Sequence, residues 1–125
     1  MLLKRKTRVL LLDDDPSMQR LVSTILKREG YRVNVFLTGR DAIASMDTES
    51  YDVILLDLMM PHEGGITVIR HLESKDPAKL KRVLVLTASP ESVIAKVRDS
   101  VSGVVQKPFD TDELLGAVRR VAGQR

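Results

Sequence analysis

Five short apolar runs alternate with stretches of helical periodicity along the chain, and this alternation restricts the fold more than any other sequence feature. Val, Leu and Ile occupy successive positions in most of the runs, which indicates strands buried on both faces, as in a parallel sheet. The predicted strands are residues 8–12, 32–36, 53–56, 83–86 and 103–105. Strand and helix alternating in this way predict a doubly wound α/β fold with five helices.

The helical signals differ in strength. Apolar residues recur at helical spacing from Met18 to Leu26, and Gly30 supplies a stop signal after them. Asp110 or Thr111 is expected to cap the last helix. The other predicted helices are residues 40–46, 66–72, 92–97 and 113–121.

Composition restricts the class of protein. The 125 residues predict one domain, 1–125, and contain no cysteine and no apolar stretch as long as a membrane span. We therefore expect a cytoplasmic protein that does not contact membranes. Its net charge is +3, but the basic residues are scattered and aromatic residues make up only 3%, so we expect no direct binding of nucleic acid.

Polar residues follow four of the predicted strands. Asp13, Asp14 and Asp15 come after the first, Asp57 after the third, Thr87 after the fourth and Lys107 after the fifth. Because ligands of open α/β sheets bind outside the carboxyl ends of the strands, these residues are candidates for one site. Asp52 precedes the third strand and is expected at the opposite edge.

The aspartates predict a metal site. Asp13, Asp14 and Asp57 would bring three hard oxygen ligands together, and a cation must neutralise them in a partly buried pocket. Mg²⁺ is the expected occupant. Asp15 is suited to cap a helix that begins at Pro16. The alternative is that all three aspartates of residues 13–15 only begin this helix.

Lys107 and Thr87 complete a reactive set. Taken alone, a lysine before a turn is commonly solvated, and a threonine at a strand end commonly satisfies its own hydrogen bonds. Together, a carboxylate nucleophile, a divalent metal, a cationic lysine and a hydroxyl donor meet the needs of phosphoryl transfer to an aspartate.

The motifs LLLDDDP, DVILLDLMMP with Gly65 after it, VLVLTAS and VVQKPF occur in this order. Over essentially its whole length, the chain resembles the receiver domain of two-component response regulators. The resemblance implies a flavodoxin-like five-stranded parallel sheet with strand order 2-1-3-4-5.

The resemblance also assigns roles to residues. It implies that Asp57 is the phosphoacceptor and that Asp13 and Asp14 form an acidic pair, with Asp14 the more direct Mg²⁺ ligand. The backbone carbonyl of Met59 is implied as a further ligand.

Within the same resemblance, Thr87 is the switch hydroxyl and Lys107 the cation that pairs with the phosphate. The implied phosphodonor is a sensor histidine kinase or a histidine phosphotransfer protein, and the implied target is a downstream effector protein or domain. Apart from its own phosphorylation and dephosphorylation, such a domain is not an enzyme. The outward side of the first helix, at Gln19, Arg20, Ser23 and Lys27, is expected to receive the donor.

Two departures from the family pattern stand out. Val104 occupies the position, three residues before the lysine, where relatives carry Tyr, Phe or His. The segment from Thr87 to Lys107 is about two residues short, which predicts a short or displaced fourth helix. One alternative is a constitutive interaction module with an altered switch. Another is a phosphohydrolase, which Met59 disfavours because an acid or base is needed there.

Overall fold

The computed structural model describes residues 5–61 and 63–123, and these form alternating strands and helices with two additional 3₁₀ helices. Among the described residues, no helix combines the length and apolar character needed to cross a membrane. The strands are β1 Arg8–Leu12, β2 Arg32–Phe36, β3 Val53–Leu56, β4 Val83–Thr87 and β5 Gly103–Gln106. The α-helices are α1 Pro16–Arg28, α2 Gly39–Thr48, α3 Gly65–Lys75, α4 Glu91–Ile94 and α5 Thr111–Ala122, and the 3₁₀ helices are Pro77–Arg82 and Arg98–Ser100.

The strands form one parallel sheet in the order β2-β1-β3-β4-β5, which confirms the predicted fold class. In the register of the sheet, Leu12 of β1 lies opposite Phe36 of β2 and Leu56 of β3. The residues that follow β1 and β3 therefore emerge side by side at the same edge.

Alternate residues of each strand enter two different cores, because side chains of a strand point to opposite faces. Leu10 and Leu12 join the core under α2, α3 and α4. Val9 and Leu11 join the core under α1 and α5. Burial of β1, β3 and β4 on both faces explains their continuous apolar sequence.

The predicted ends of α1 and α5 are confirmed. The Asp15 carboxylate accepts a hydrogen bond from the Ser17 N–H at 2.9 Å, and Pro16 occupies the first helical position. Beyond α1, Gly30 has φ +88°, a left-handed conformation that favours glycine. Asp110 caps α5 through the Glu113 N–H at 2.7 Å.

The fourth helix is short, as predicted, but its expected extent over residues 92–97 is wrong. It ends at Ile94, and tighter hydrogen bonds follow from Lys96 N–H to Val93 O and from Val97 N–H to Ile94 O. This three-residue spacing puts Ile94 and Val97 on one side, and both are buried in the core under α2–α4. Both side chains therefore lie in the core, although the α-helix itself ends at Ile94.

Candidate functional site

Three strands bring Asp13, Asp57 and Lys107 into direct contact. Lys107 Nζ lies 2.9 Å from Asp13 Oδ2 and 3.4 Å from Asp57 Oδ2, and both carboxylates are buried. The Lys107 N–H donates to the carbonyl oxygen of Thr87, which fixes the end of β5 beside the end of β4. Residues separated by as many as 94 positions in the chain thus share one cluster.

The backbone around Asp57 is held from two sides. Its N–H donates to Leu12 O at 3.0 Å, and its carbonyl accepts from the Gly65 N–H at 2.8 Å. A Cβ atom at Gly65 would lie 2.6 Å from that carbonyl oxygen, so a larger residue there would push α3 away from β3. The glycine lets the first turn of α3 pack directly against the residue that carries the carboxylate.

One oxygen of Asp57 accepts two hydrogen bonds. Thr87 Oγ1 donates to Asp57 Oδ1 at 3.0 Å, and the Met59 N–H donates to the same oxygen at 3.1 Å. Thr87 Oγ1 also lies 2.9 Å from Ser89 Oγ. Because a threonine hydroxyl has one proton, Ser89 is the donor when Thr87 donates to Asp57. A chain of hydroxyls therefore leads from buried Ser89 to Asp57.

Asp13 is anchored by the start of α1. Its Oδ1 accepts from the Asp15 N–H at 2.9 Å, while its Oδ2 faces Lys107. The side-chain amide of Gln19 donates to the Asp13 backbone carbonyl. Asp15 thus caps α1 with its carboxylate and holds the Asp13 side chain with its backbone N–H.

Asp14 completes a cluster of three carboxylates. Asp13, Asp14 and Asp57 each offer an oxygen atom, and these oxygens all lie within 4.8 Å of one another. Asp14 is exposed, whereas the other two are buried. Three carboxylates face the single ammonium of Lys107, so the excess negative charge and the hard oxygen donors fit a divalent cation such as Mg²⁺.

The surroundings of Lys107 favour its charged form. Burial by itself lowers the pKa of Lys107, but the hydrogen bond to Asp13 and the negative charges of Asp57 and Asp13 outweigh it. The pKa of Lys107 is therefore raised above its ordinary value of 10.5. The lysine is a permanent cation near neutral pH.

Other sequence-predicted residues are placed as follows. Asp52 lies at the opposite edge of the sheet, where it accepts from the Arg8 N–H at 2.8 Å. Met59 has a largely exposed side chain, 59% accessible, next to the cluster.

Val104 is half-buried and packs against the core under α2–α4. Its position in β5 is beside Val85 of β4.

The expected outward face of α1 needs a correction. Ser23 is buried and its hydroxyl has no hydrogen-bond partner among the described residues, so the prediction that it faces outward is wrong. It lines a groove of about 300 Å³ between α1 and Val35 of β2. Gln19 is only partly exposed, while Arg20 and Lys27 are exposed as expected.

Ser89 and Gln19 were missed as parts of the site. Ser89 is visible in the motif VLVLTAS, two residues after Thr87, but a serine in a loop has many possible partners. Gln19 was expected outward on α1. No local pattern indicates that its amide turns back to the Asp13 carbonyl.

Comparison with known proteins identifies the family. Residues 9–119 match the family model for the response regulator receiver domain. The chain is 37% identical to the transcriptional regulatory protein TrcR of Mycobacterium tuberculosis over 115 residues. This match covers 90% of the chain and 44% of TrcR. It is 34% identical over 116 residues to the transcriptional regulatory protein ResD of Bacillus subtilis, covering 91% of this chain and 47% of ResD. The chain spans about half the length of these curated relatives.

Solved structures share the fold. A receiver domain of a sensor histidine kinase from Pseudomonas aeruginosa, with a magnesium ion in its active site cleft, matches with a TM-score of 0.85 and 26% identity, covering 95% of this chain and 99% of that one. The response regulator TrrA of Thermotoga maritima, in complex with Mg²⁺ and beryllofluoride, matches with a TM-score of 0.81 and 27% identity, covering 92% and 98%.

Proposed function

The chain belongs to the response regulator receiver domain family, and from this premise we propose that Asp57 accepts a phosphoryl group from a sensor histidine kinase or a histidine phosphotransfer protein. The observation that carries the proposal is the environment of the Asp57 carboxylate, which meets a hydroxyl, a backbone N–H and an ammonium while two further carboxylates lie beside it. A receiver domain is a phosphoacceptor module of two-component signalling rather than a classic enzyme. We further propose that residues 1–125 form one such domain.

The carboxylates of Asp13, Asp14 and Asp57, with the Met59 carbonyl, are the proposed ligands of Mg²⁺. When bound, this ion supplies positive charge to the oxygens of the transferring phosphoryl group. Its presence also relieves the repulsion among the carboxylates, which otherwise opposes an anionic donor.

In the proposed transfer, an Asp57 carboxylate oxygen forms the new O–P bond as the N–P bond to the donor histidine breaks. Lys107 is already charged and lies within 3.4 Å of Asp57 Oδ2, so its ammonium pairs with a phosphoryl oxygen. The Thr87 hydroxyl then donates to the phosphoryl group instead of to Asp57 Oδ1. Water attack on the acyl phosphate reverses the modification.

We propose that the signal leaves the site through Thr87 and the segment after it. Val104 has no ring to move and no polar tip to expose, and it packs against the core. Beryllofluoride, as a phosphate mimic, should therefore shift the backbone amides of residues 87–97 and Lys107 much more than the Val104 side chain in NMR spectra. Shifts confined to the immediate phosphate contacts at full occupancy would favour the constitutive interaction module.

The proposed donor-binding surface is the exposed side of α1, with Arg20 nearer the site and Lys27 in the last turn of the helix. Reversing the charge of Arg20 should slow transfer from a cognate kinase and leave labelling by acetyl phosphate intact. Equal loss with both donors would indicate misfolding.

The proposed output is control of an effector, either another domain of a longer chain or a separate protein.

Phosphorylation mapping tests the proposed acceptor directly. Incubation with acetyl phosphate and Mg²⁺ should label Asp57, and Asp57→Asn should abolish the label. Asp41→Asn, which alters an exposed carboxylate in the first turn of α2, is the matched control and should be labelled like the unaltered protein. Chelation of Mg²⁺ should prevent labelling. Full labelling of Asp57→Asn would reject the proposal.

A further inference from the structure

A second charged cleft lies at the opposite end of the sheet from Asp57. It has a volume of about 660 Å³ and is lined by Arg5, Lys6, Arg8, Arg32 and Ser50. The five residues of β1 separate this cleft from the acidic site, a distance of about 17 Å at the usual rise per strand residue. The basic residues come from two separate stretches of the sequence.

The sheet register places two arginines next to each other. Arg8 begins β1 and lies directly opposite Arg32, which begins β2. The Arg32 N–H donates to Thr7 O at 2.9 Å, so the backbone fixes this pairing. Two like charges at neighbouring positions repel each other, and an anion between them would reduce this repulsion.

Two of the four cations already have partners. Arg5 bonds to Asp52 at 3.1 Å, and Arg8 bonds to Glu49 at 2.9 Å. The guanidinium of Arg8 also lies 5.2 Å from the centre of the Tyr51 ring, which restrains its position.

Lys6 and Arg32 carry the unpaired charge. Both are exposed, and neither side chain has a carboxylate partner within the described residues 5–61 and 63–123. Among the described residues, the cleft therefore has four cations, of which two are paired with the carboxylates of Asp52 and Glu49. With the restrained Arg8 and the Ser50 hydroxyl at its wall, the cleft offers the charged and hydroxyl donors that suit phosphate oxygens.

We propose that this cleft binds a compact anion bearing two or more phosphate groups, such as pyrophosphate or the phosphate chain of a nucleotide. Its volume is in the range of small-molecule sites, about 300–1,000 Å³. A nucleic acid is less favoured because the aromatic residues near the cleft offer no freely exposed ring for stacking bases: Tyr51 is 2% exposed and lies against Arg8, and Tyr31, which precedes Arg32, is partly buried against the core under α1 and α5.

The test is an NMR titration of the full chain with pyrophosphate, with chelator present to exclude Mg²⁺. Without a cation, the three carboxylates around Asp57 repel the probe, so the acidic site does not compete. Saturable shifts are expected at the amides of Lys6, Arg8, Arg32 and Ser50. Shifts at Asp13 and Asp57 alone, or a response without saturation, would overturn the proposal.

The double variant Lys6→Gln/Arg32→Gln should weaken pyrophosphate binding by about tenfold or more, since it removes two charge-assisted contacts. The matched control is Arg70→Gln/Lys96→Gln, which removes the same charge from exposed positions elsewhere and should keep the affinity. Equal weakening in both variants would reduce the effect to net charge and reject the site.

Folding of the double variant is checked by thermal denaturation with and without pyrophosphate. Because the substitution removes a like-charge neighbour, its thermal midpoint without ligand should not fall, whereas pyrophosphate should raise the midpoints of the unaltered protein and of the control variant but not that of Lys6→Gln/Arg32→Gln. Parallel titrations with AMP, ATP and a twelve-nucleotide single strand identify the source of the phosphates. Tighter binding of the oligonucleotide than of ATP and pyrophosphate would contradict the compact-anion class.

Discussion

Lys107 is the only residue whose ammonium contacts both buried carboxylates among the described ion pairs. Lys107→Met should lower the free energy of unfolding, measured in denaturant without metal, by about 2 kcal/mol because Asp13 and Asp57 then face each other without a cation. Lys96→Met, at an exposed lysine, is the control and should change it by less than about 0.5 kcal/mol.

The pH dependence of this difference follows from the sign of the pKa shift. A pKa raised in the folded state gives stability that is complete below the unfolded value of 10.5 and is lost only as pH rises through the folded pKa. The stability difference between the unaltered protein and Lys107→Met should therefore stay constant between about pH 6 and pH 9. A decline within that interval would show that Lys107 is not held as a cation.

A variant at Thr87 tests the phosphorylation of Asp57 and the conformational response to it separately. Thr87→Val keeps the shape but removes the hydroxyl between Ser89 and Asp57, which should cost about 1 kcal/mol of stability. In Thr87→Val, Asp57 should still be labelled by acetyl phosphate, but beryllofluoride should cause smaller NMR shifts beyond the site. Thr87→Ser retains the hydroxyl, so in this variant the shifts should be as large as in the unaltered protein. If the NMR shifts on addition of beryllofluoride were unchanged in Thr87→Val, Thr87 would have no part in the conformational change.

At the scale of secondary structure, the α4 segment is held by burial rather than by its surface ion pair. Ile94 is fully buried, whereas Glu91 and Arg98, whose bond is 2.8 Å long, are both largely exposed. Ile94→Ala should lower the free energy of unfolding by about 2–4 kcal/mol. Glu91→Gln should lower it by less than about 1 kcal/mol in the same denaturant titration. The reverse order would mean that the ion pair sets the position of α4.

For the whole molecule, metal binding should be coupled to stability. A cation that binds only the folded protein adds about 3 kcal/mol at a hundred times its Kd, on the order of a 10 °C rise in Tm for a domain of this size. Asp14→Asn should reduce the rise with Mg²⁺, because it removes the exposed ligand of the cluster. Asp112→Asn, in the first turn of α5, should respond like the unaltered protein. An equal rise in both variants would place the metal elsewhere.

The sequence by itself determined the sheet and the edge at which the candidate residues lie. Apolar runs are local signals, and parallel strands necessarily bring their carboxyl ends to one edge, so Asp57 and Lys107 could be assigned to the same end without coordinates. Helix ends at Asp15 and Gly30 were likewise predictable, because caps and left-handed glycines depend on a few adjacent residues.

Only the tertiary structure decided which atoms meet. The Ser89–Thr87–Asp57 chain, the inward position of Ser23 and the pairing of Arg8 with Arg32 depend on strand register and packing between distant segments. The extent of α4 was also decided there, since the α-helical hydrogen bonds change after Ile94 to a three-residue spacing that the helical pattern of residues 92–97 does not indicate. Periodicity specifies which face of an element is buried, but hydrogen-bond partners and local pitch depend on what the rest of the chain places against that face.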